Sequence, residues 1–183
     1  MPPYIAMLRG INVGGHKTIR MEHLRALCSD IGFQKVETYV QSGNIIFQSP
    51  MESPAAVSQS IGEAILHSFR VKAPVIVRTS KQMRSLVANN PFLKVEDLDT
   101  SKLHVTFLSE IAQKGSLQRL RELATSPDRF HATQDEIYLY CPNGYFRTKL
   151  SNNAIEKALS VTATTRNWKT TNVLFQIVSK LGP

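Results

Sequence analysis

The sequence predicts an α+β fold that opens with the element order β-α-β-β-α-β. Three observations predict it. A continuous apolar run, Tyr4 to Leu8, gives way to apolar residues at helical spacing. Two β-prone stretches then lie on either side of Gln41-Ser42-Gly43-Asn44. A second helical stretch, opening at Ser53-Pro54, leads into another short apolar run, Val75 to Val77.

Each element has its own warrant. Residues 4–8 (YIAML) read as a buried strand, followed by a turn rich in glycine at Gly10, Gly14 and Gly15. Met21, Leu24, Leu27, Cys28 and Ile31 recur at helical spacing, so 20–31 reads as an amphipathic helix that Gly32 stops. Val36, Thr38 and Val40 begin a strand that breaks at 41–44, and Ile45 to Gln48 form the next. Glycine beside asparagine at that break indicates a hairpin or bulge. Ser53 is a helix cap and Pro54 suits the first helical position; Val57, Ile61, Ile65 and Phe69 then line one face. With the strand after Pro74 the order is complete by about residue 79. That order is ferredoxin-like: two helices on one face of an antiparallel sheet.

The second half echoes the first. A connecting helix over 80–89 starts at Ser80 and is halted by Pro91. Leu103 to Leu108 is a strand, and 113–125 a helix with Leu117, Leu120 and Leu123 inward. Residues 129–133 and 136–141 read as paired strands separated by Gln134-Asp135. Asn153 with Glu156 matches a capping box for a short helix through Leu159. A last helix, 167–180, buries Leu174, Ile177, Val178 and Leu181. No final strand is evident, so this half reads as an imperfect α+β repeat with a C-terminal helix. The expected organisation is a ferredoxin-like subdomain 1–79, a connecting helix and loop 80–102, and a second α+β subdomain 103–183.

Composition bounds the function. In 183 residues, 42% hydrophobic and 20% charged, there is ample material for a core, which excludes a disordered chain. Cys28 and Cys141 form no C-x-x-C pair, which points to a reducing cytoplasm rather than a disulfide scaffold. MPPYIAMLRG has no basic region before an apolar one, and no apolar run is long enough to cross a bilayer. The expectation is a soluble cytoplasmic protein without a membrane partner. Net charge is +8. Residues 145–183 concentrate it, with six bases against the single acid Glu156. Such a surface attracts phosphates. His16, His23, His67, His104 and His131 form no H-x-x-x-H pattern, so no metal site is expected, and nothing calls for a cofactor.

Three segments carry candidate chemistry. In LRGINVGGHKT, Gly10 and Gly15 have P-loop spacing, but His16 stands where lysine is required and Lys17 comes one residue later. On a helix that offset turns the side chain by about 100°. What survives is an anion-binding loop: backbone N–H groups exposed by Gly10, Gly14 and Gly15, with Arg9, Asn12, His16 and Lys17 beside them. Gln41, Ser42, Gly43 and Asn44 make a polar turn; Ser42 lacks the G-x-S-x-G context of a nucleophile. Thr164 to Thr170 place an arginine fork at Arg166 and the single tryptophan, Trp168, which suits stacking on a ring. The threonines and Asn167 are read as supplying helix-start caps. The expected strand order puts Arg9 and Gly43-Asn44 near opposite ends of the sheet unless the Gly10–Lys17 loop folds back.

These segments, LRGINVGG (8–15), YVQSGNIIF (39–47), NPF (90–92), LHVTFL (103–108) and TTRNWKT (164–170), stand in an order that resembles a bacterial family catalogued as domain of unknown function 1697. The resemblance implies a two-part α+β fold with ferredoxin-like repeats. It places Arg9, Gly10, Asn12, Gly14, Gly15, Gln41, Ser42, Gly43, Asn44, Arg166, Asn167 and Trp168 on signature positions. It brings no activity and no catalytic residue. Val40 and Lys169 depart from the isoleucine and asparagine expected there.

Three readings follow. The leading one is binding of a phosphate-bearing or other anionic ligand, a nucleotide or nucleic acid, where the Gly10–Lys17 loop and the Arg166 segment share one basic surface. The second is a hydrolase or transferase with His16 as acid or base, assisted by Ser42 or Lys17. The third is a protein-interaction module using an exposed sheet edge. The residues leave open the ligand, the reaction and the oligomeric state.

Overall fold

The computed structural model describes residues 1–15 and 17–182. By compactness the chain divides into two units, residues 1–87 with 173 onward, and residues 88–172.

The first unit contains β1 (Pro3–Leu8), α1 (Met21–Asp30), β2 (Gln34–Tyr39), β3 (Asn44–Gln48), α2 (Pro54–Phe69), β4 (Val75–Thr79) and α3 (Ser80–Ala88) up to Val87. Its sheet has the order β2-β3-β1-β4, and every pairing is antiparallel. Two neighbours flank β1, so it reads as an unbroken apolar run, whereas the edge strand β2 (QKVETY) is largely polar. Tyr4, Ala6 and Leu8 join Ile45, Phe47 and Val77 in a core with Leu24 and Cys28 of α1 and Val57, Ile61 and Ile65 of α2. Phe33 stacks on Phe47 at 4.5 Å and 3°. Burying each such ring contributes about 2 kcal/mol. Ser53 caps α2 by accepting from the Ala56 N–H, and Arg70 ends it in a left-handed conformation (φ 56°).

The second unit has the same plan. β5 (Leu103–Leu108), α4 (Leu117–Leu123), β6 (Arg129–Ala132), β7 (Glu136–Tyr140), α5 (Asn152–Leu159) and β8 (Ala163–Asn167) form a sheet in the order β6-β7-β5-β8. α6 (Trp168–Lys180) follows, beginning in the second unit and ending in the first. Near its end the Leu181 carbonyl accepts from Gln48 Nε2 at 2.8 Å.

The correspondence between repeats extends to single residues. Leu8 donates its N–H to the Gly43 carbonyl, as Leu108 does to that of Asp135, both at 2.9 Å. Ile5 faces Arg78 across β1 and β4, and Val105 faces Arg166 across β5 and β8.

The α+β class and the β-α-β-β-α-β opening are as expected. The second repeat, however, closes with β8, a strand that periodicity does not reveal. Its ATTRN sequence lacks apolar alternation because one inward position is polar. Thr165 Oγ1 lies 2.8 Å from Thr106 Oγ1 and donates to Asn152 Oδ1. The capping box at Asn153 and Glu156 is also corrected: Ser151 caps α5 by accepting from the Ala154 N–H. Glu156 Oε1 instead accepts from the Ala163 N–H and steers the chain into β8. Among the described residues no helix is long and apolar enough to cross a membrane.

Gly43 has φ 71°, and a Cβ there meets Ile11 Cδ1 at 2.6 Å and Leu8 Cβ at 2.8 Å; Gly10 has φ 70° with nothing within 4 Å. Gly43→Ala is expected to lower stability by about 2–4 kcal/mol, from overpacking added to left-handed strain. Gly10→Ala carries the strain alone, about 1 kcal/mol. Urea titration of both variants checks this, and equal losses contradict it.

Burial pushes the Cys28 thiol up to about 12 and that of Cys141 to about 11. Both thiols are therefore expected to resist iodoacetamide at pH 8 in the native protein and to react in urea. Mass spectrometry of the labelled protein reads this directly.

Candidate functional site

The first sheet brings three loops together where β1 ends. Strands β1 and β3 are antiparallel, with Met7 paired to Asn44. The end of one strand therefore lies beside the start of the other. This overturns the expectation that Arg9 and Gly43-Asn44 sit near opposite ends of the sheet. On the other side of β1, Leu8 pairs with Val75 and Arg9 donates its N–H to the Pro74 carbonyl at 2.9 Å. The loop after β1, the turn before β3 and the loop before β4 thus share one edge.

Asn12 holds the glycine loop in shape. Its Nδ2 donates to the carbonyls of Ile19 at 2.9 Å and Gln41 at 2.7 Å. Its Oδ1 accepts from the Ile19 N–H at 2.8 Å. The backbone N–H of Asn12 donates to the Lys17 carbonyl. Asn12 itself is left-handed (φ 54°), a conformation asparagine tolerates better than most residues. Ile11 and Ile19 are buried at the neck of the loop, while Val13, Gly14, Gly15, Lys17 and Thr18 project into solvent. Gly10, Gly14, Gly15 and Lys17 also have positive φ. α1 begins only at Met21, with Arg20 at its N-cap and no side-chain cap, so the glycines do not adjoin a helix start as they do in a P-loop.

The charge at this edge is positive. Lys17 Nζ donates to the Lys72 carbonyl at 3.2 Å, bringing Lys17 beside the loop that carries Arg70 and Lys72. Arg20 is paired with Glu22 at 3.0 Å. The segments 9–20, 40–44 and 70–74 contain five Lys or Arg and no Asp or Glu. Sequence reasoning missed Arg70 and Lys72. Their proximity to Lys17 comes from the β1–β4 pairing, which no local pattern encodes.

The turn before β3 is internally bonded. Asn44 is fully buried and donates through Nδ2 to the Tyr39 carbonyl and to Ser42 Oγ, each at 3.0 Å. Gln41 contributes its carbonyl to Asn12 and exposes its side chain. His16 lies outside the described residues.

The remaining candidates belong to the second unit. Arg166 is 8% exposed, and its Nη1 donates to Thr164 Oγ1 at 2.7 Å and to the Thr165 carbonyl at 2.9 Å. Asn167 caps α6, accepting from the Thr170 N–H at 2.7 Å, whereas Thr164 and Thr165 are strand residues rather than caps. Trp168 is buried. Arg78, its counterpart to Arg166 in the first repeat, is buried too and donates to the Val77 carbonyl. Among the described residues no three His, Cys, Asp or Glu side chains gather as a metal site.

A family model described as "Protein of unknown function (DUF1697)" matches residues 1–138. The chain belongs to this family. The match takes in the glycine loop, the 41–44 turn and the NPF segment, and ends before β8. No curated protein matches the chain. Among solved structures, the chain is similar to a conserved bacterial protein, SP0830, from Streptococcus pneumoniae. Identity is 22%, the TM-score is 0.74, and the alignment covers 97% of this chain and 98% of that one. At that identity the likeness extends to the fold alone, which this DUF1697 member shares along nearly its whole length.

Asn12→Ala removes three side-chain hydrogen bonds and places alanine at positive φ. A loss of about 3 kcal/mol is expected. Urea denaturation measures it, and hydrogen exchange at the Ile19 amide should accelerate. An unchanged Ile19 amide contradicts the role given to Asn12.

Proposed function

We propose that the loop edge of the first sheet binds a phosphate-bearing ligand, a nucleotide or a nucleic acid. The observation that carries this reading is the approach of Lys17 to the Lys72 main chain, at 3.2 Å, on an edge whose three segments hold no acid. Arg9 extends the same cluster, since its N–H is bonded to Pro74. Lysine and arginine side chains at a loop held open by left-handed residues attract phosphate oxygens, and a net charge of +8 steers them in. Gln41 and Ser42 border the cluster and offer polar contacts to a sugar or base. Asn44, which is buried, and the half-buried Asn12 position this edge rather than touch the ligand. Arg166 and Trp168 stand outside the proposal because they are buried, and Asn167 because its side chain caps a helix.

The test is fluorescence anisotropy with a labelled single-stranded oligonucleotide, with ATP and inorganic phosphate as competitors, at 50 and 500 mM salt. Arg9→Ala and the Lys17→Ala/Lys72→Ala pair are each expected to weaken binding about tenfold and to flatten the salt dependence. Competition by ATP alone identifies a nucleotide site, and its failure with the oligonucleotide bound identifies nucleic acid. Binding by both variants as tight as that of the parent protein overturns the proposal.

A further inference from the structure

The second unit carries a different kind of site along the open edge of its sheet. β6 is an edge strand, paired only with β7. The Thr133 N–H donates to the Glu136 carbonyl, and the register continues through Ala132–Ile137, His131–Tyr138, Phe130–Leu139 and Arg129–Tyr140. Hydrogen-bonded and non-hydrogen-bonded pairs alternate in an antiparallel ladder. Arg129 and His131 therefore bond toward β7, and the main-chain groups of Phe130 and Ala132 point outward.

Arg129 stands beside those outward groups. Its guanidinium lies 4.9 Å from the ring centroid of Tyr140 and 5.7 Å from that of Phe92. The two rings are 6.2 Å apart. Phe92 is held in place by Asn90, whose Oδ1 accepts the Phe92 N–H at 3.0 Å. The NPF segment thus builds one wall of the site. Cation–π contact fixes the guanidinium without using its N–H donors. Among the described residues the Arg129 side chain makes no hydrogen bond or ion pair, so its planar fork is available to a carboxylate. Arg129 itself lines a cleft of about 440 Å³, with Pro91, Phe92, Val95, Phe130 and His131. No carboxylate lines that cleft. Asp128 lines a neighbouring cleft with Arg129 and Tyr140, so the Phe92 cleft is the one of the two that offers Arg129 without a carboxylate.

We infer that the β6 edge takes up an extended peptide from a partner protein as a fifth strand, with an acidic side chain of that peptide on Arg129 and its apolar neighbours in the Phe92 cleft. Charge complementarity and outward main-chain groups converge on this occupant. An added strand bonds to Phe130 and Ala132 along the cleft that Arg129 and Phe92 both line, so its side chains meet the fork and the apolar wall together.

A phage library of random dodecapeptides, panned in parallel against the full-length protein and its Arg129→Gln and Ala132→Pro variants, tests this. Proline at 132 removes an outward N–H and leaves the β7 ladder intact. Circular dichroism establishes that each variant is folded, and Arg129→Lys serves as a second variant that keeps the charge and loses the fork. The expected result is enrichment of peptides with one acidic residue flanked by β-branched or aromatic ones. Binding of the enriched peptide should fall at least tenfold in Arg129→Gln and Ala132→Pro, and several-fold in Arg129→Lys. Equal enrichment on all baits, a consensus without an acid, or displacement of the peptide by hexanoate at equal concentration overturns the inference. The last outcome marks a small-molecule carboxylate site instead.

Discussion

The main-chain hydrogen bond from Leu8 to Gly43 is the constraint on which the loop edge of the first sheet depends. It brings two backbones together with Leu8 and Ile11 side chains packed into the space a Cβ at 43 needs. β1 is bonded on both sides, so its last residues sit where three connections converge. Whatever charge those connections carry is thereby concentrated. The second sheet makes the corresponding bond, Leu108 to Asp135, but its loop opens with Ser109-Glu110 instead of Arg9-Gly10. Topology supplies the meeting place, and the residues at 9, 17, 70 and 72 supply the charge.

The two repeats solve the same packing problem with different chemistry. In the first sheet the helix-facing residues are apolar nearly throughout, from Tyr4 to Val77. In the second, Thr106, Thr165 and Asn152 form a chain of hydrogen bonds in the equivalent layer. Buried hydroxyls are costly unless bonded, and here the first turn of α5 supplies the partner. Asn152 also donates to the Ala163 carbonyl while Glu156 accepts the Ala163 N–H, so β8 is tied to α5 at its first residue. The paired arginines, Arg78 and Arg166, occupy matching positions in the last strand of each repeat and are both buried. Their place in the framework explains why arginine type alone is a poor guide to a binding surface.

Legibility in the sequence followed the kind of interaction involved. Elements held by burial of an apolar face could be read from spacing: α2 from Val57, Ile61 and Ile65, and β1 from its unbroken run Tyr4 to Leu8. Caps with one donor and one acceptor close in sequence were readable at Ser53 and Asn167. β8 was not, because its polar side chains are satisfied by Thr106 and Asn152, far away along the chain. The cap of α5 is Ser151 for a related reason: Glu156 accepts from the Ala163 N–H at the start of β8, a contact that local spacing does not show. At the site, Arg9, Asn12 and Lys17 are visible in the sequence as a cluster of donors, but the roles of Asn12 and Asn44 as internal braces arise from partners that only the tertiary structure brings to them.

Residue order alone determined every strand and helix of the first repeat's β-α-β-β-α-β plan, most of those in the second, and the presence of a basic glycine loop, because propensity, periodicity and turn chemistry act over a few residues. Tertiary structure decided which loops meet. Strand pairing set Lys17 against Lys72, buried Arg166 and Trp168, and left Arg129 stacked on two rings beside an open edge. Contacts between residues tens of positions apart depend on register across a sheet, and register is a property of the assembled core rather than of any short stretch of chain.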